Sequence, residues 1–330
     1  NYLMFFLVIG LVNFLSIKSF RPETVPALRI TRPLAASITG LLLAVAVIFP
    51  IYKFEFVPAK ANYTTTRGIV ASWGGDHDLA FEKFKEAMSY DTPGKYDIRH
   101  RYSQYILERA NSQTTIDEKT RERLLVAAES VKKNVEESPQ DYLPHLYLSR
   151  TYIILGKSAL DSPYNDLALE ESLEALEISP TFVRTYYEIA QAYLNKKDWQ
   201  KAIEWFEKVV ALNPEVKLSK WYLGVTYAQA GQLQKGAEII EKSGYDYKSN
   251  EIDALRILDL YFRIGNFGKI AEIYEALIKL NSKNPQYYAS LAAAYKEIGE
   301  RQKAINAAQA AAALDPAFAA EAEAFIQSLR

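Results

Sequence analysis

Apolar and charged positions are distributed unevenly along this chain, which begins with two apolar runs that carry no charge. The runs cover residues 2–17 and 34–52. A membrane hydrocarbon core of about 30 Å needs roughly 20 helical residues. We therefore predict a membrane region at 1–52, with one transmembrane helix in each run and a basic loop at 18–33, followed by a linker at 53–60. The alternative is a buried soluble hairpin, which is costly for two such runs joined by a charged loop.

Positive charge in the loop predicts the direction in which the helices cross the membrane. The loop holds four cations and one acid, namely Lys18, Arg21, Arg29, Arg32 and Glu23. The first ten residues after Tyr52 hold two cations, Lys53 and Lys60. By the positive-inside rule, we expect the loop in the cytoplasm and both ends of the chain on the far side of the bacterial inner membrane. In a Gram-negative cell the residues after the second helix are then periplasmic.

From residue 61 onward, small and apolar positions recur every 34 residues and predict pairs of helices. The clearest unit has Tyr186, Ile189, Ala190 and Tyr193 on its first helix and Ala202, Phe206, Val209 and Pro214 on its second. Seven units are predicted, the first three with insertions or substitutions, at 61–94, 95–141, 142–182, 183–216, 217–250, 251–284 and 285–318. Residues 319–330, with Phe325 and Leu329 on one face, are predicted to form a capping helix.

This pattern resembles the tetratricopeptide repeat, in which a large residue, Leu, a small residue and Tyr mark the first helix, and Ala, an aromatic residue, Ala and Pro mark the second. Small residues such as Ala190, Gly224 and Ala202 let two helices approach closely, and Pro214 and Pro316 end the second helix. The resemblance implies an all-α fold, an α-solenoid of about seven such helix pairs. In that fold the first helices line a concave groove and the second helices form the convex back.

A binding site in this chain is expected in the groove, since aromatic and arginine side chains dominate the energetics of many interfaces. The repeat positions predict that six residues face it, namely Arg150, Tyr187, Gln191, Trp221, Asp259 and Phe262. The alternative for Trp221 and Phe262 is simple packing against neighbouring first helices. The groove lacks the Lys and Asn pattern with which some family members hold a peptide's terminal carboxylate. We therefore expect a protein or peptide ligand of another kind.

Composition excludes several classes of function. The 330 residues include no cysteine, which excludes disulfides, thiol nucleophiles and cysteine-ligated metals. The net charge is −1 without any long basic run, so nucleic acid is not an expected partner. The histidines His77, His100 and His145 are isolated, and the stretch from Gly74 to His77 is typical of a turn. No cofactor, metal site or catalytic residue is predicted.

A second resemblance concerns the apolar start of the chain. Residues 2–6 and 12–15, followed by a basic loop, another span and repeats, are similar to the end of O-antigen ligase and polymerase family proteins. The sequence begins with Asn1 and not with an initiator methionine, which suggests that it starts inside a longer protein. The resemblance implies a glycosyl-transferring membrane enzyme acting with undecaprenyl-linked glycan machinery, whose catalytic residues lie outside this sequence. Two functions thus stay open, a membrane-anchored interaction scaffold and the accessory part of such an enzyme.

Overall fold

The computed structural model describes residue 10 and residues 33–113, 115–157 and 162–329. This described part of the chain is helical and contains no strand. It divides into two compact units, the first ending at Tyr105 and the second beginning at Ile106.

The first unit begins with a long, nearly continuous run of helix. Helix α1 (Pro33–Ile51) passes through a π-helical turn (Tyr52–Phe56) into α2 (Val57–Trp73), which packs against α3 (His77–Ser89). Helix α4 (Lys95–Asn111) contains the boundary between the units. Asp76 caps α3, because its side chain accepts a hydrogen bond from the Leu79 N–H group.

One helix in the described part of the chain is long and apolar enough to cross a membrane. It covers Gly40–Trp73, with a mean hydropathy of 1.9 over its most apolar window, and none of that window is buried in the protein. Its large apolar side chains are open to the surroundings, with Leu41, Leu42, Ile48 and Phe49 each more than 60% exposed. The predicted second span corresponds to α1. The predicted first span at 2–17 and almost all of the loop lie outside the described residues.

The segment 53–60, predicted to be a linker, is helical instead. No glycine stands between Gly40 and Gly68 to end the helix. Pro58, which has no N–H group to donate, lies in the first turn of α2, where prolines are tolerated. The wide turn just before it is closed by a hydrogen bond from Val57 N–H to Tyr52 O, so the chain continues as helix through one π-type bulge.

The second unit is an α-solenoid built from helix pairs. After α5 (Glu118–Glu137), five first helices are each followed by a second helix. The first helices are α6 (Tyr142–Gly156), α8 (Val183–Asn195), α10 (Lys217–Gln229), α12 (Glu251–Ile264) and α14 (Pro285–Glu297). The second helices are α7 (Pro163–Ile178), α9 (Trp199–Leu212), α11 (Leu233–Ser243), α13 (Phe267–Leu280) and α15 (Arg301–Leu314). Short 3-10 helices lie at Tyr247–Ser249 and Pro316–Phe318.

A left-handed residue ends four of the first helices at the 34-residue spacing. The residues are Lys197, Gly231, Gly265 and Gly299, with φ angles of 56°, 85°, 77° and 76°. A left-handed turn reverses the chain within two or three residues, so the second helix can pack back on the first. Glycine adopts this conformation without steric cost, whereas Lys197 has to adopt it with a Cβ atom.

Small residues allow the close helix contacts that the sequence predicts. Ala190 and Ala202 are fully buried, and the ring of Phe206 fills the space beside Ala190. The pair α6 and α7 departs from this pattern, because fully buried Ser149 stands at the small position and fully buried Ser172 at the position of the aromatic ring. Ser149 donates a hydrogen bond to Ala168 O, and its Oγ lies 2.5 Å from Ser172 Oγ. A polar contact thus holds this pair where an aromatic ring holds the next one.

A tyrosine–glutamate hydrogen bond links successive helix pairs at the same repeat position. It joins Tyr227 to Glu207, Tyr261 to Glu241 and Tyr295 to Glu275, each at 2.5 Å. In every case the hydroxyl on a first helix donates to the carboxylate on the second helix just before it, 20 residues earlier in the chain. Each tyrosine therefore fastens its own pair to the preceding pair.

The last helix, α16 (Ala319–Ser328), packs against α15. Its buried residue is Ala322, and Phe325 and Ile326 pack against the core of the preceding pairs. The ammonium group of Lys296 lies 5.6 Å from the centre of the Phe325 ring. This helix covers apolar surface that the final pair would otherwise expose.

Candidate functional site

A buried carboxylate joins the first helices α6 and α8. Glu188 on α8 is 3% exposed and accepts a 2.6 Å hydrogen bond from Arg184 Nε on the same helix. Arg150 on α6 lies across from it, with its Nε 3.4 Å from the same carboxylate oxygen, Oε1. The Arg150 guanidinium also lies 5.2 Å from the Tyr147 ring centre. Burying Glu188 is tolerated because two guanidinium groups compensate its charge.

Aromatic rings continue the contact from α8 to α10. The Arg184 guanidinium lies 4.9 Å from the ring centre of Tyr187, which is within range of a cation–π interaction. The edge of Tyr187 meets Tyr222 on α10 at a centroid distance of 5.2 Å. Burial, followed by the neighbouring Tyr222, raises the pKa of Tyr187 well above its ordinary value. Tyr187 is therefore a neutral hydrogen-bonding group at any physiological pH.

A second arginine connects α10 to α12. The Arg256 guanidinium on α12 lies 5.4 Å from the ring centre of Trp221 and 5.7 Å from that of Tyr222. Its Nη1 lies 3.6 Å from the Asp253 carboxylate, which accepts a 2.8 Å hydrogen bond from Tyr245. These contacts hold the guanidinium beside the two aromatic rings, within range of cation–π interactions.

Side chains from four consecutive first helices thus touch one another in sequence. We call this set the first-helix ladder and define it as Arg150, Arg184, Tyr187, Glu188, Trp221, Tyr222 and Arg256. Two buried donor atoms at the ladder, Gln191 Nε2 and Trp221 Nε1, have no hydrogen-bond partner within the described ranges. An unpaired buried donor costs free energy. Gln191 is partly exposed, so its amide can turn towards an incoming acceptor, whereas Trp221 is fully buried.

Lys157, at the end of α6, is influenced by the charge of Arg256, a ladder residue. Its side chain reaches solvent. Burial by the surrounding protein nevertheless lowers the pKa of Lys157, and the positive charge of Arg256 lowers it further. Arg256 lies on α12, two first helices beyond α8, so its charge acts across several repeats on this side of the array.

The structure brings together four of the six residues that the sequence predicts for the groove. Arg150 and Tyr187 belong to the ladder and are partly exposed, and Gln191 follows Tyr187 by one helical turn. Trp221 also belongs to the ladder, but it is fully buried under Arg256 and Tyr245. Its ring therefore packs in the interior, which is the alternative that the sequence left open.

Asp259 and Phe262 lie apart from the ladder on α12. Asp259 is exposed, and its carboxylate lies 3.5 Å from Arg263 Nη1, one turn further along the helix. Phe262 is 46% exposed and meets the edge of Phe267 at a centroid distance of 6.4 Å. Both side chains remain accessible to a ligand, and these two contacts lie within one helix pair.

Sequence reasoning missed four ladder residues, Arg184, Glu188, Tyr222 and Arg256. A signal for three of them was present, because Glu188, Tyr222 and Arg256 stand 34 residues apart and occupy one repeat position. An acid, a ring and a base at one position of successive units predict contacts between neighbouring first helices. Arg184 and Glu188 are also spaced i, i+4, which favours an ion pair on a helix.

Polar groups elsewhere have structural roles. His145 Nδ1 lies 2.7 Å from Glu171 Oε2, and this pair joins α6 to α7. Burial raises the pKa of Glu171, against the opposing effect of its hydrogen bond to His145. Gly74, Gly75 and Asp76 form the turn before α3, as the sequence predicts. Within the described residues, no group of histidines and carboxylates is placed to hold a metal ion.

Comparison with known proteins identifies the repeat. The tetratricopeptide repeat family matches residues 183–216 and, separately, residues 285–318. The chain carries tetratricopeptide repeats. The solenoid is similar to the crystal structure of a tetratricopeptide repeat protein from Parabacteroides merdae, with a TM-score of 0.51 and 14% identity over 82% of this chain and 99% of that one. At this identity the likeness shows the shared fold alone.

Two curated proteins carry related tetratricopeptide sequences. A TPR repeat-containing protein of Methanocaldococcus jannaschii is 22% identical over 259 residues, which is 76% of this chain and 43% of that protein. The antiviral innate immune response effector IFIT1 of Macaca fascicularis is 23% identical over 197 residues, covering 47% of this chain and 41% of that protein. The chain thus spans less than half the length of either relative.

Proposed function

We propose that this chain is a membrane-anchored scaffold that binds a protein or peptide partner along the first helices of its tetratricopeptide repeats. The observation that carries the proposal is the first-helix ladder, which presents three arginines and two partly exposed tyrosines along four consecutive first helices. Solenoids use such continuous faces as extended binding surfaces. Arginine, tyrosine and tryptophan are also the residues that most often dominate binding energy. Among the described residues around the ladder, no group of histidines and carboxylates is placed to hold a metal ion. The ladder's composition therefore favours binding over catalysis for these repeats.

Site-specific photo-crosslinking tests this proposal in cells. A benzoylphenylalanine at Gln191 lies beside the ladder, and the same residue at Glu204 lies on the exposed side of the second helix α9. We expect discrete protein adducts from position 191 and none from position 204. Equal adducts at both positions, or adducts at 204 alone, would show that the first helices are not the binding face.

The membrane anchor is the second element of the proposal. The helix Gly40–Trp73 supports it through its length, its hydropathy and its exposed leucines. We propose a further span at 2–17 and a cytoplasmic loop between the two, as the four cations of the loop favour. The repeats are then periplasmic, on the outer side of a bacterial inner membrane.

The second candidate is an accessory role in a larger glycosyl-transferring membrane enzyme. It rests on the resemblance of residues 2–6 and 12–15 to the end of O-antigen ligase and polymerase proteins. In that case the repeats would bind components of the undecaprenyl-linked glycan machinery. Sequencing the gene upstream of the Asn1 codon tests it. About ten further apolar spans with a large periplasmic loop would favour the enzyme, and an adjacent start codon would favour the simple anchor.

A further inference from the structure

The first-helix ladder and its neighbours carry an excess of positive charge, whereas the chain as a whole is nearly neutral. The ladder has three guanidinium groups and one carboxylate, Glu188. Asp253 beside Arg256 adds a second carboxylate, and Lys157 adds a fourth cation, so two positive charges are in excess. Asp259 and Arg263 form an ion pair and cancel. The whole chain, by contrast, has a net charge of −1. This face is therefore an electropositive strip on a nearly neutral protein.

The arginines of this strip keep donors for an outside acceptor. A guanidinium group has five N–H donors, and its planar edge matches a carboxylate in two parallel hydrogen bonds. Among the described residues, Arg184 donates only through Nε, to Glu188. Its two terminal amino groups therefore remain for another acceptor. Glu188 thus fixes the direction of the guanidinium without saturating it.

One neutral donor extends the same preference for acceptors. Gln191 Nε2 lacks a hydrogen-bond partner in the described part of the chain, on a residue that is partly exposed. Gln191 lies one turn from Tyr187. A peptide main chain offers carbonyl oxygens at regular intervals, so one extended segment can accept from this amide as well as from the arginines.

We propose that the partner of this face is an acidic peptide segment in extended conformation, with carboxylates held by Arg150 and Arg184 at one point and by Arg256 at another. The inference rests on the proposed function and names the chemistry of its ligand. Packed helices lie about 8–10 Å apart, so α8 and α12, with α10 between them, are separated by about 16–20 Å. An extended chain advances about 3.3 Å per residue. The two acidic residues are then about five positions apart.

The effect of Arg256 on Lys157 agrees with an anionic ligand. Burial lowers the pKa of Lys157, and the positive charge of Arg256, from a different repeat, lowers it further. A carboxylate placed between them would relieve this repulsion. Single-stranded nucleic acid also combines negative charge with stacking on aromatic rings. The small charge excess and the net charge of −1 favour the peptide, and nucleic acid becomes one outcome of the test.

Selection from a random dodecapeptide library displayed on phage tests the inference. The full chain is immobilised in mild detergent, and a matched selection is run on detergent alone. We expect enriched peptides with a net negative charge and with acidic residues about five positions apart. Binding of one enriched peptide should weaken several-fold between about 50 and 300 mM salt, because partly exposed ion pairs are screened.

Substitution of the arginines locates the site. Arg256→Gln should weaken binding of that peptide at least tenfold. Arg150→Gln is a second test, which should also weaken binding while Glu188 keeps Arg184 as its partner. Arg301→Gln on the second helix α15 removes an exposed arginine away from the ladder, and should change the affinity less than twofold. Circular dichroism checks that each variant keeps its helix content. An unchanged affinity in both ladder variants would overturn the inference.

The possible failures are distinguishable. Enriched peptides that are neutral or basic, yet weakened by ladder substitutions, would overturn the acidic ligand and leave the proposed function standing. No enrichment above the detergent control would contradict the proposed function itself. Displacement of the peptide by a micromolar single-stranded oligonucleotide, with loss of that effect in Arg256→Gln, would replace the peptide by nucleic acid as the ligand.

Discussion

Gly224 on α10 and Gly236 on α11 face each other where the two helices cross. A Cβ atom on Gly236 would lie 2.7 Å from Gly224 O and 2.8 Å from Ala228 N. A Cβ atom on Gly224 would lie 2.7 Å from Ile240 Cγ1. Backbone atoms therefore form this contact, and nothing at Gly236 can move aside except the helices themselves.

We expect Gly236→Ala to lower the free energy of unfolding by about 1–3 kcal/mol, because overpacking a close helix contact forces the backbones apart. The matched control is Gly268→Ala in the first turn of α13, where the nearest atom is 3.6 Å from the added Cβ. There alanine should be neutral or stabilising by up to about 1 kcal/mol, through its helix propensity. Urea unfolding followed by circular dichroism measures both changes. Equal stability of the two variants would contradict the close contact.

Lys197 is predicted to be a strained turn residue. It holds the left-handed conformation that glycine holds at the matching positions of the next three pairs. We expect Lys197→Gly to stabilise the chain by about 0.5–1 kcal/mol, since relief of strain exceeds the added entropy of the unfolded chain. The reverse change, Gly265→Ala, should cost about 1 kcal/mol, and the space around Gly265 is open, so the cost is one of conformation alone. Thermal unfolding of both variants should move the midpoint in opposite directions.

The tyrosine–glutamate links should contribute to stability wherever both partners are present. Tyr261 is 2% exposed and donates to Glu241, so Tyr261→Phe should cost about 1.5–3 kcal/mol, as for other hydrogen bonds to charged groups. Tyr193 occupies the same repeat position, but the residue 20 positions earlier is Leu173. Tyr193→Phe should therefore change the free energy of unfolding by less than about 0.5 kcal/mol. Similar losses in both variants would mean that the cost comes from removing the hydroxyl group itself and not from its hydrogen bond to a glutamate.

Alkaline pH should weaken the link between Tyr295 and Glu275, and also the hydrogen bond that Tyr287 on α14 donates to Glu251 on α12. Burial, and then the hydrogen bond to Glu251 or Glu275, raises the pKa of Tyr287 and of Tyr295 to about 12. The folded-state pKa lies above the ordinary value of about 10, so the stabilisation is complete below pH 10 and is lost as the pH rises towards 12. We expect the urea midpoint to fall between pH 10 and pH 12. Tyr295→Phe should reduce the size of that fall, and an unchanged fall would assign it to other groups.

Reporter fusions after Arg330 test the proposed membrane orientation. Four cations in the predicted loop favour a cytoplasmic loop and export of everything after the apolar helix. Alkaline phosphatase fused to the carboxyl end should be active, while green fluorescent protein exported by the general secretory route should stay dark. A bright fluorescent fusion with inactive phosphatase would place the repeats in the cytoplasm.

The repeating part of the fold follows from sequence because one spacing sets it throughout. Small residues at 34-residue intervals predict where helices touch, and Ala190 and Ala202 are buried where this rule puts them. Repeat spacing alone left the burial of Trp221 as one of two alternatives. Tyr245, from the connection between α11 and α12, packs against its ring, and repeat spacing says nothing about how a connection folds. The ladder likewise depends on side-chain directions between neighbouring helices, which the spacing of Glu188, Tyr222 and Arg256 only suggests.

The helix Gly40–Trp73 has a mechanical consequence for the first pair of helices. At about 1.5 Å per residue, its 34 residues form a rod about 51 Å long. The same rod supplies α2, which packs against α3, so no flexible tether separates the apolar part from the first pair. Any tilt or rotation of the apolar end is therefore transmitted directly, as a torque, to α2 and to α3 packed against it.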